Sequence, residues 1–177
     1  MDYVFHVLVL VALYVILATS FNLLIGYAGL FALSHAVFFA IGAYATAILS
    51  TSLGLPFPVP LIIGIALAAV VSLTVALPAL RIGGDYLVIA SLALQMIAVA
   101  VMTNWTALTG GTDGIRNIPR IQFGTLVLDT APKFFPLALA FAVATMLFAS
   151  RLGHSPFGRA LKAVREDETA AQSVGKN

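Results

Sequence analysis

Residues 3–80 contain no Lys, Arg, Asp or Glu. A charge at mid-membrane costs roughly 2.5–3.5 kcal/mol on insertion scales, so a charge-free run of this length is what membrane-spanning segments require. As one helix it would extend about 115 Å at about 1.5 Å per residue, against a hydrocarbon core of about 30 Å. The run therefore crosses more than once, and helix breakers mark the divisions. Gly26-Tyr27-Ala28-Gly29 interrupts the first apolar stretch, and Gly54-Leu55-Pro56-Phe57-Pro58-Val59-Pro60 ends the second. Crossings are predicted over residues 4–25, 30–53 and 59–80, with a fourth over 86–103 after Arg81-Ile82-Gly83-Gly84-Asp85. Residues 104–133 mix polar, Gly and Pro residues and read as an external loop, before a fifth span, 134–150, near the minimum crossing length. The expected fold is all-α: a polytopic bundle of about five spans over residues 1–150, with residues 151–177 set apart as a water-facing segment.

Composition closes off the soluble alternatives. Charged residues make up 9% of the chain, against about 25% in soluble domains. Nine Lys and Arg with seven Asp and Glu cannot coat a globule of 18.6 kDa, and mean hydropathy is +1.06. A net charge of +2 offers no footprint for nucleic acid, and the lack of cysteine excludes disulfides, thiolate metal sites and cysteine nucleophiles. Met1-Asp2-Tyr3 lacks the basic region of a removable signal and reads as the start of an uncleaved first span.

Half of the charged residues lie in 151–177: Arg151, Arg159, Lys162, Arg165, Glu166, Asp167, Glu168 and Lys176. With five crossings, Arg81 and this segment share one side, which holds six Lys or Arg against Arg116, Arg120 and Lys133 opposite. The positive-inside rule puts the C-terminal segment in the cytoplasm and the N-terminus outside.

Polar residues at membrane depth are candidates for a translocation path, because each needs a partner or a water-filled cavity there. They are Asn22, Gly26, Ser34, His35 and Gln95. Each has a plainer reading. Ser34 and His35 fit a helix end at the interface or a structural bond to a neighbouring helix, Asn22 and Gln95 fit interhelical hydrogen bonds, and Gly26, Gly29 and Gly42 fit close helix packing. Gly26 and its neighbours also fit a discontinuous helix. Asp85 fits a cap of the fourth span. Thr109-Gly110-Gly111-Thr112-Asp113-Gly114 lacks the Lys of a phosphate loop and fits a tight turn instead. His6, His35 and His154 are scattered, and no serine sits in a nucleophile elbow, so nothing points to chemistry on this chain.

The C-terminal segment carries the most pattern. Ser155 with Pro156 is a helix start. Phe157, Ala160, Leu161 and Val164 then fall on one stripe, with Arg159, Lys162 and Arg165 on other faces. The acidic run Glu166-Asp167-Glu168 precedes a second apolar set, Ala171 and Val174, so a pair of short amphipathic helices with a polar turn is predicted. Its apolar face needs a surface, either lipid or a partner groove, and the acidic run disfavours anionic lipid.

The run from Gly158-Arg159-Ala160 through Arg165-Glu166-Asp167-Glu168 and Ala170-Ala171 to Gly175 resembles the cytoplasmic coupling loop of branched-chain amino acid ABC transporter permeases. Three further stretches resemble the LivM-type members of that family. They are Asn22–Gly29 with Ser34-His35 and Gly42-Ala43-Tyr44, Arg81–Leu87, and Leu108–Ile115. The resemblance implies the membrane subunit of an ATP-driven importer of branched-chain or similar small amino acids, in a bacterial inner membrane. It implies a homologous permease subunit, two cytoplasmic ATPases holding ATP and Mg, and a periplasmic binding protein as partners, with no cofactor on this chain. Gly158, Arg159, Ala160, Arg165, Glu166, Asp167, Glu168, Ala170, Ala171 and Gly175 would form the ATPase-coupling segment. Family members continue past that segment with further spans, which implies a permease cut short after its coupling loop. The competing readings are a passive channel or secondary carrier, and a nonfunctional permease fragment.

Overall fold

A computed structural model describes residues 2–79, 84–123 and 126–173. Helix α1 (Asp2–Asn22) is apolar on every side and continues into a π-helical turn, Leu23–Tyr27. Helices α2 (His35–Leu53), α3 (Pro58–Ala79) and α4 (Gly84–Asn104) follow. A polar segment then holds the short α5 (Thr106–Thr109), a 3-10 turn (Gly111–Asp113) and two three-residue strands, β1 (Ile121–Phe123) and β2 (Leu126–Leu128), paired as a ribbon. Helices α6 (Ala131–His154), α7 (Pro156–Glu166) and α8 (Glu168–Ser173) complete the described chain. By length and composition, five helices can cross a membrane: the α1 region, α2, α3, α4 and α6. Their outward side chains fit that setting, with Tyr14, Ile62, Leu77, Met96 and Phe148 all more than 60% exposed. Apolar exposure on this scale requires lipid or a protein partner. The all-α polytopic class expected from the sequence is the class observed.

The second crossing differs from expectation in where it starts. Residues 30–34 are not helical, and α2 begins at His35. Gly29 takes φ +70°, a left-handed conformation that ends the preceding turn at little cost only in glycine. The Leu33 N–H then donates to Ser91 Oγ on α4 at 2.9 Å rather than to a helical carbonyl. The fifth span is longer than predicted at both ends. Pro132 is tolerated in its first turn, and Arg151 and His154 sit in its last turn, where cations oppose the helix dipole.

The helices fall into two compact units, residues 1–31 with 128–177, and residues 32–127. In the first, Val9 and Ala12 of α1 pack against Ala138 and Ala142 of α6, flanked by Leu13, Ile16 and Phe134. Phe5 meets Phe135 edge-on at 5.9 Å near one end, and Tyr27 meets Gly153 at the other. The two helices therefore run parallel.

In the second unit α2 and α3 form an antiparallel hairpin. Gly54, in the left-handed conformation, ends α2, and Pro58 starts α3, where a missing N–H costs nothing. Thr46 Oγ1 donates to Gly42 O at 2.7 Å, and Pro60 is fully buried beside it. The sequence reading gave Gly42 a packing role, but the glycine on which the contact depends is Gly64. A Cβ at Gly64 would stand 2.9 Å from Gly42 O and 2.8 Å from Thr46 Oγ1, whereas one at Gly42 comes no nearer than 3.9 Å to Gly64 O. Gly64→Ala is expected to lower stability by about 1–3 kcal/mol through overpacking. Gly42→Ala should leave the unfolding midpoint unchanged or slightly raised, as denaturation in detergent would show.

Candidate functional site: the C-terminal helix pair and its seat

The segment singled out in the sequence folds as the predicted helix pair, built on a tight corner. Helix α6 ends at His154, and Ser155 turns extended with φ −71° and ψ 165°. Its hydroxyl donates to Leu152 O at 2.6 Å and accepts from Gly158 N at 3.1 Å, capping α7 with Pro156 at the first position. Arg159 Nη1 donates to His154 O at 2.9 Å, satisfying a carbonyl at the end of α6. Gly158 is buried in this corner, where a Cβ would stand 2.7 Å from Gly153 O. Ser155→Ala removes the cap and is expected to cost about 1 kcal/mol, read as a lower unfolding midpoint.

One side of α7 sits on the end of α1. The π-helical turn diverts the backbone: the Leu30 N–H donates to Leu24 O at 3.2 Å and the Gly29 N–H to Ile25 O at 3.1 Å. An unbroken α-helix would bring the Leu30 N–H to Gly26 O. Instead Gly26 O accepts from Arg165 Nη1, whose other nitrogen pairs with Glu166. The Arg165 stem lies against Gly29, and Lys162 Nζ sits 4.6 Å from the centre of the Tyr27 ring. That ring in turn rests on Gly153 of α6. Such a cation–π contact is worth about 0.5–1 kcal/mol at an exposed site.

The rest of α7 is uncovered. Phe157 is 60% exposed and Val164 is 39% exposed, while Ala160 and Leu161 are half-buried. The polar turn falls at Asp167, whose Oδ1 accepts from Ala170 N at 2.9 Å and opens α8. Ala171 is buried at 3% exposure, and Ala170, Glu166 and Asp167 are exposed. The predicted coupling residues thus divide by position. Gly158 and the working ends of Arg159 and Arg165 build the corner and the seat, Ala171 is buried, and Ala160 lies between. Glu166, Asp167 and Ala170 face outward. The Glu168 side chain, Val174 and Gly175 lie outside the described residues, as do Arg81 and the Asp85 side chain.

The candidate path residues fall in both units, Asn22 and Gly26 in the first and Ser34, His35 and Gln95 in the second. Asn22 is exposed where α1 widens, and its side chain lies against Gly26. Gly26 itself contributes its carbonyl to the α7 seat. Ser34 is buried at the N-cap position of α2 without capping through its side chain, and His35 is the first residue of that helix. Ser34 and His35 thus lie at the start of α2. Gln95 lies one turn beyond Ser91 on α4, and its Oε1 is buried with no hydrogen-bond partner among the described residues. The sequence reading missed Ser91, which bonds Leu33 N and Val88 O. An isolated serine in an apolar helix gives no signal of a partner 58 positions away.

The glycine-rich loop after α4 is held by its own turn geometry. Gly110, Gly111 and Gly114 all have positive φ, and the Thr109 hydroxyl, buried, donates to Met102 O at 2.7 Å and accepts from Gly111 N at 3.2 Å. Asp113 faces Arg116 at 3.5 Å on the surface. A tight turn was expected at Asp113-Gly114, and Gly114 N closes one on Gly111 O at 3.3 Å. A cavity of about 240 Å³ lies between the α2–α3 connection and the loop, lined by Ser50, Gly54, Phe57, Arg120 and Gln122 among others.

Five apolar helices of spanning length define a multi-pass membrane protein. Residues 3–177 match the family model described as "Branched-chain amino acid transport system / permease component". The chain belongs to that family, and the resemblance read from its motifs is thereby established. It is 35% identical over 189 residues to the high-affinity branched-chain amino acid transport system permease protein LivM of Escherichia coli, covering 94% of this chain and 44% of that protein. To the Salmonella typhimurium protein of the same description it is 33% identical over 186 residues, covering 92% of this chain and 44% of that protein. The chain therefore spans less than half the length of these relatives. No solved structure matches it significantly.

Proposed function

We propose that this chain forms part of the membrane subunit of an ATP-driven importer of branched-chain or similar small amino acids. In this reading α7 and α8 dock on cytoplasmic ATPase subunits that hold ATP and Mg, and a homologous permease subunit completes the path. A periplasmic binding protein delivers the solute, and the chain itself catalyses nothing. The observation that carries the reading is α7, a helix fixed at its base by Ser155, Arg159 and Arg165 that leaves Phe157 and Val164 uncovered. A rigidly seated helix with an apolar tip and an adjoining acidic turn suits a protein groove better than an anionic lipid surface.

The orientation follows the same logic. Parallel α1 and α6 fit three intervening crossings, α2, α3 and α4, and put the end of α1 and the start of α7 on one side. The Lys and Arg bias supports the cytoplasm as that side, in a bacterial inner membrane under this reading. Within this frame, Ser34, His35 and Gln95 remain the path candidates. The Gln95 carbonyl has the strongest claim, because a buried unpaired acceptor costs about 1–3 kcal/mol unless something bonds it. Gln95→Leu in the full-length permease should raise the KM for uptake without changing ATP hydrolysis, and an unchanged KM would assign Gln95 to packing.

The reading is tested by solute uptake into vesicles holding the full-length permease with its ATPases and binding protein. Uptake should stop on ATP depletion. Uptake that continues without ATP would identify a passive channel or secondary carrier, and co-purification with no uptake under any condition would identify an inactive fragment.

A further inference from the structure

We propose that the π-helical turn at the end of α1 and the inner face of α7 form a rigid joint, through which the docking segment drives the first membrane helix. Arg165 and Lys162 are its positioning residues. The proposal rests on the importer reading and adds to it the element that receives the motion.

Three observations place the joint here. The first is the backbone of residues 23–30. The turn is widened so that Leu30 bonds Leu24 O, and Gly26 O is given to a guanidinium 139 positions away. Widened turns of this kind concentrate at functional sites, and Gly26 O, one of the carbonyls left free where Gly29 ends this turn, is the acceptor that α7 uses. The second is the independence of the contacts. A charge-assisted hydrogen bond (Arg165 to Gly26), a cation–π contact (Lys162 over Tyr27) and a close steric contact (Arg165 on Gly29) join the same two elements. The turn therefore cannot slide or rotate beneath α7 without breaking several of them at once. The third is continuity. Tyr27 rests on α6 as well, and α6 packs along α1 through Val9, Ala12, Ala138 and Ala142. A push on α7 thus reaches the ends of both parallel helices together, and the packed faces carry it along the pair.

A covalent substitute can test the joint. A Cβ built on Gly29 lies 3.4 Å from Arg165 Cβ, close to the range of about 3.5–4.5 Å found across disulfides. The chain has no cysteine of its own, so Gly29→Cys with Arg165→Cys adds a single pair to these residues of the full-length permease. This is assembled with its ATPases and binding protein in vesicles, and uptake per ATP hydrolysed is measured. Arg165→Met should lower that ratio about tenfold, as expected for loss of a charged hydrogen bond, with hydrolysis retained. The reduced cysteine pair should be equally uncoupled, and oxidation of the same preparation should form the disulfide and restore most of the ratio. A variant that merely misfolds would not recover on oxidation.

An unaltered ratio in Arg165→Met would overturn the joint, as would an oxidised pair that stays uncoupled while Gly29→Cys alone, which carries the strain of a side chain at φ +70°, keeps its ratio. Uptake by the unmodified protein that ignores ATP would instead remove the importer reading itself.

Discussion

In the proposed importer, Phe157→Asp is expected to abolish most ATP-driven uptake while leaving membrane insertion intact. Phe157 is 60% exposed at the start of α7 and supports neither the corner nor the seat, so folding does not depend on it. Aromatic side chains at the centre of an interface each contribute about 2 kcal/mol or more, equivalent to about 30-fold in association. A carboxylate in an apolar groove adds a desolvation penalty on top. The assembled complex should therefore lose its ATPases, seen as a reduced ATPase-to-permease ratio on purification together with lost uptake. Phe157→Leu, which keeps the apolar contact, should retain most of both.

Gly158→Ala should fail for a different reason. In an open helix, alanine in place of glycine gains about 0.5–1 kcal/mol. Here the added methyl would stand 2.7 Å from Gly153 O and closer still to Leu152 O, both backbone atoms at the end of α6. Overpacking of this kind costs about 1–3 kcal/mol, so the clash outweighs the propensity gain and α7 must lift from its corner. The expected result is faster proteolysis of residues 151–177 in membranes and a loss of coupling that Phe157→Asp shows without the proteolysis. A protease pattern like that of the unmodified protein would contradict the corner as the reason for this glycine.

Much of the architecture was legible because charge and helix breakers are one-dimensional signals. The five spans, the boundary at Gly54–Pro60 and the Ser155-Pro156 helix start each follow from residues close together in sequence. The start of α2 was not legible. Gly29 ends one element and Ser91 holds Leu33 from another, and the second of these is a long-range contact with no local trace. The site divided along the same line. The amphipathic pair and its acidic turn were visible in the periodicity of Phe157, Ala160, Leu161 and Val164. Gly26 drew attention as an intramembrane break and a candidate path residue. Its carbonyl turns out to serve α7, because the partner, Arg165, lies at the far end of the chain. Gly64 and Gly153 looked like any small residue in an apolar helix until the backbone and ring they face were in place.

The central claim is that the outer face of α7 docks on an ATPase subunit, and a photocrosslinker placed at position 157 tests it most directly. Benzoylphenylalanine in place of Phe157, in the purified full-length complex in lipid vesicles, should crosslink on irradiation to the nucleotide-binding subunit. ATP should change the yield. Crosslinks confined to lipid, or to other parts of the permease itself, would contradict it.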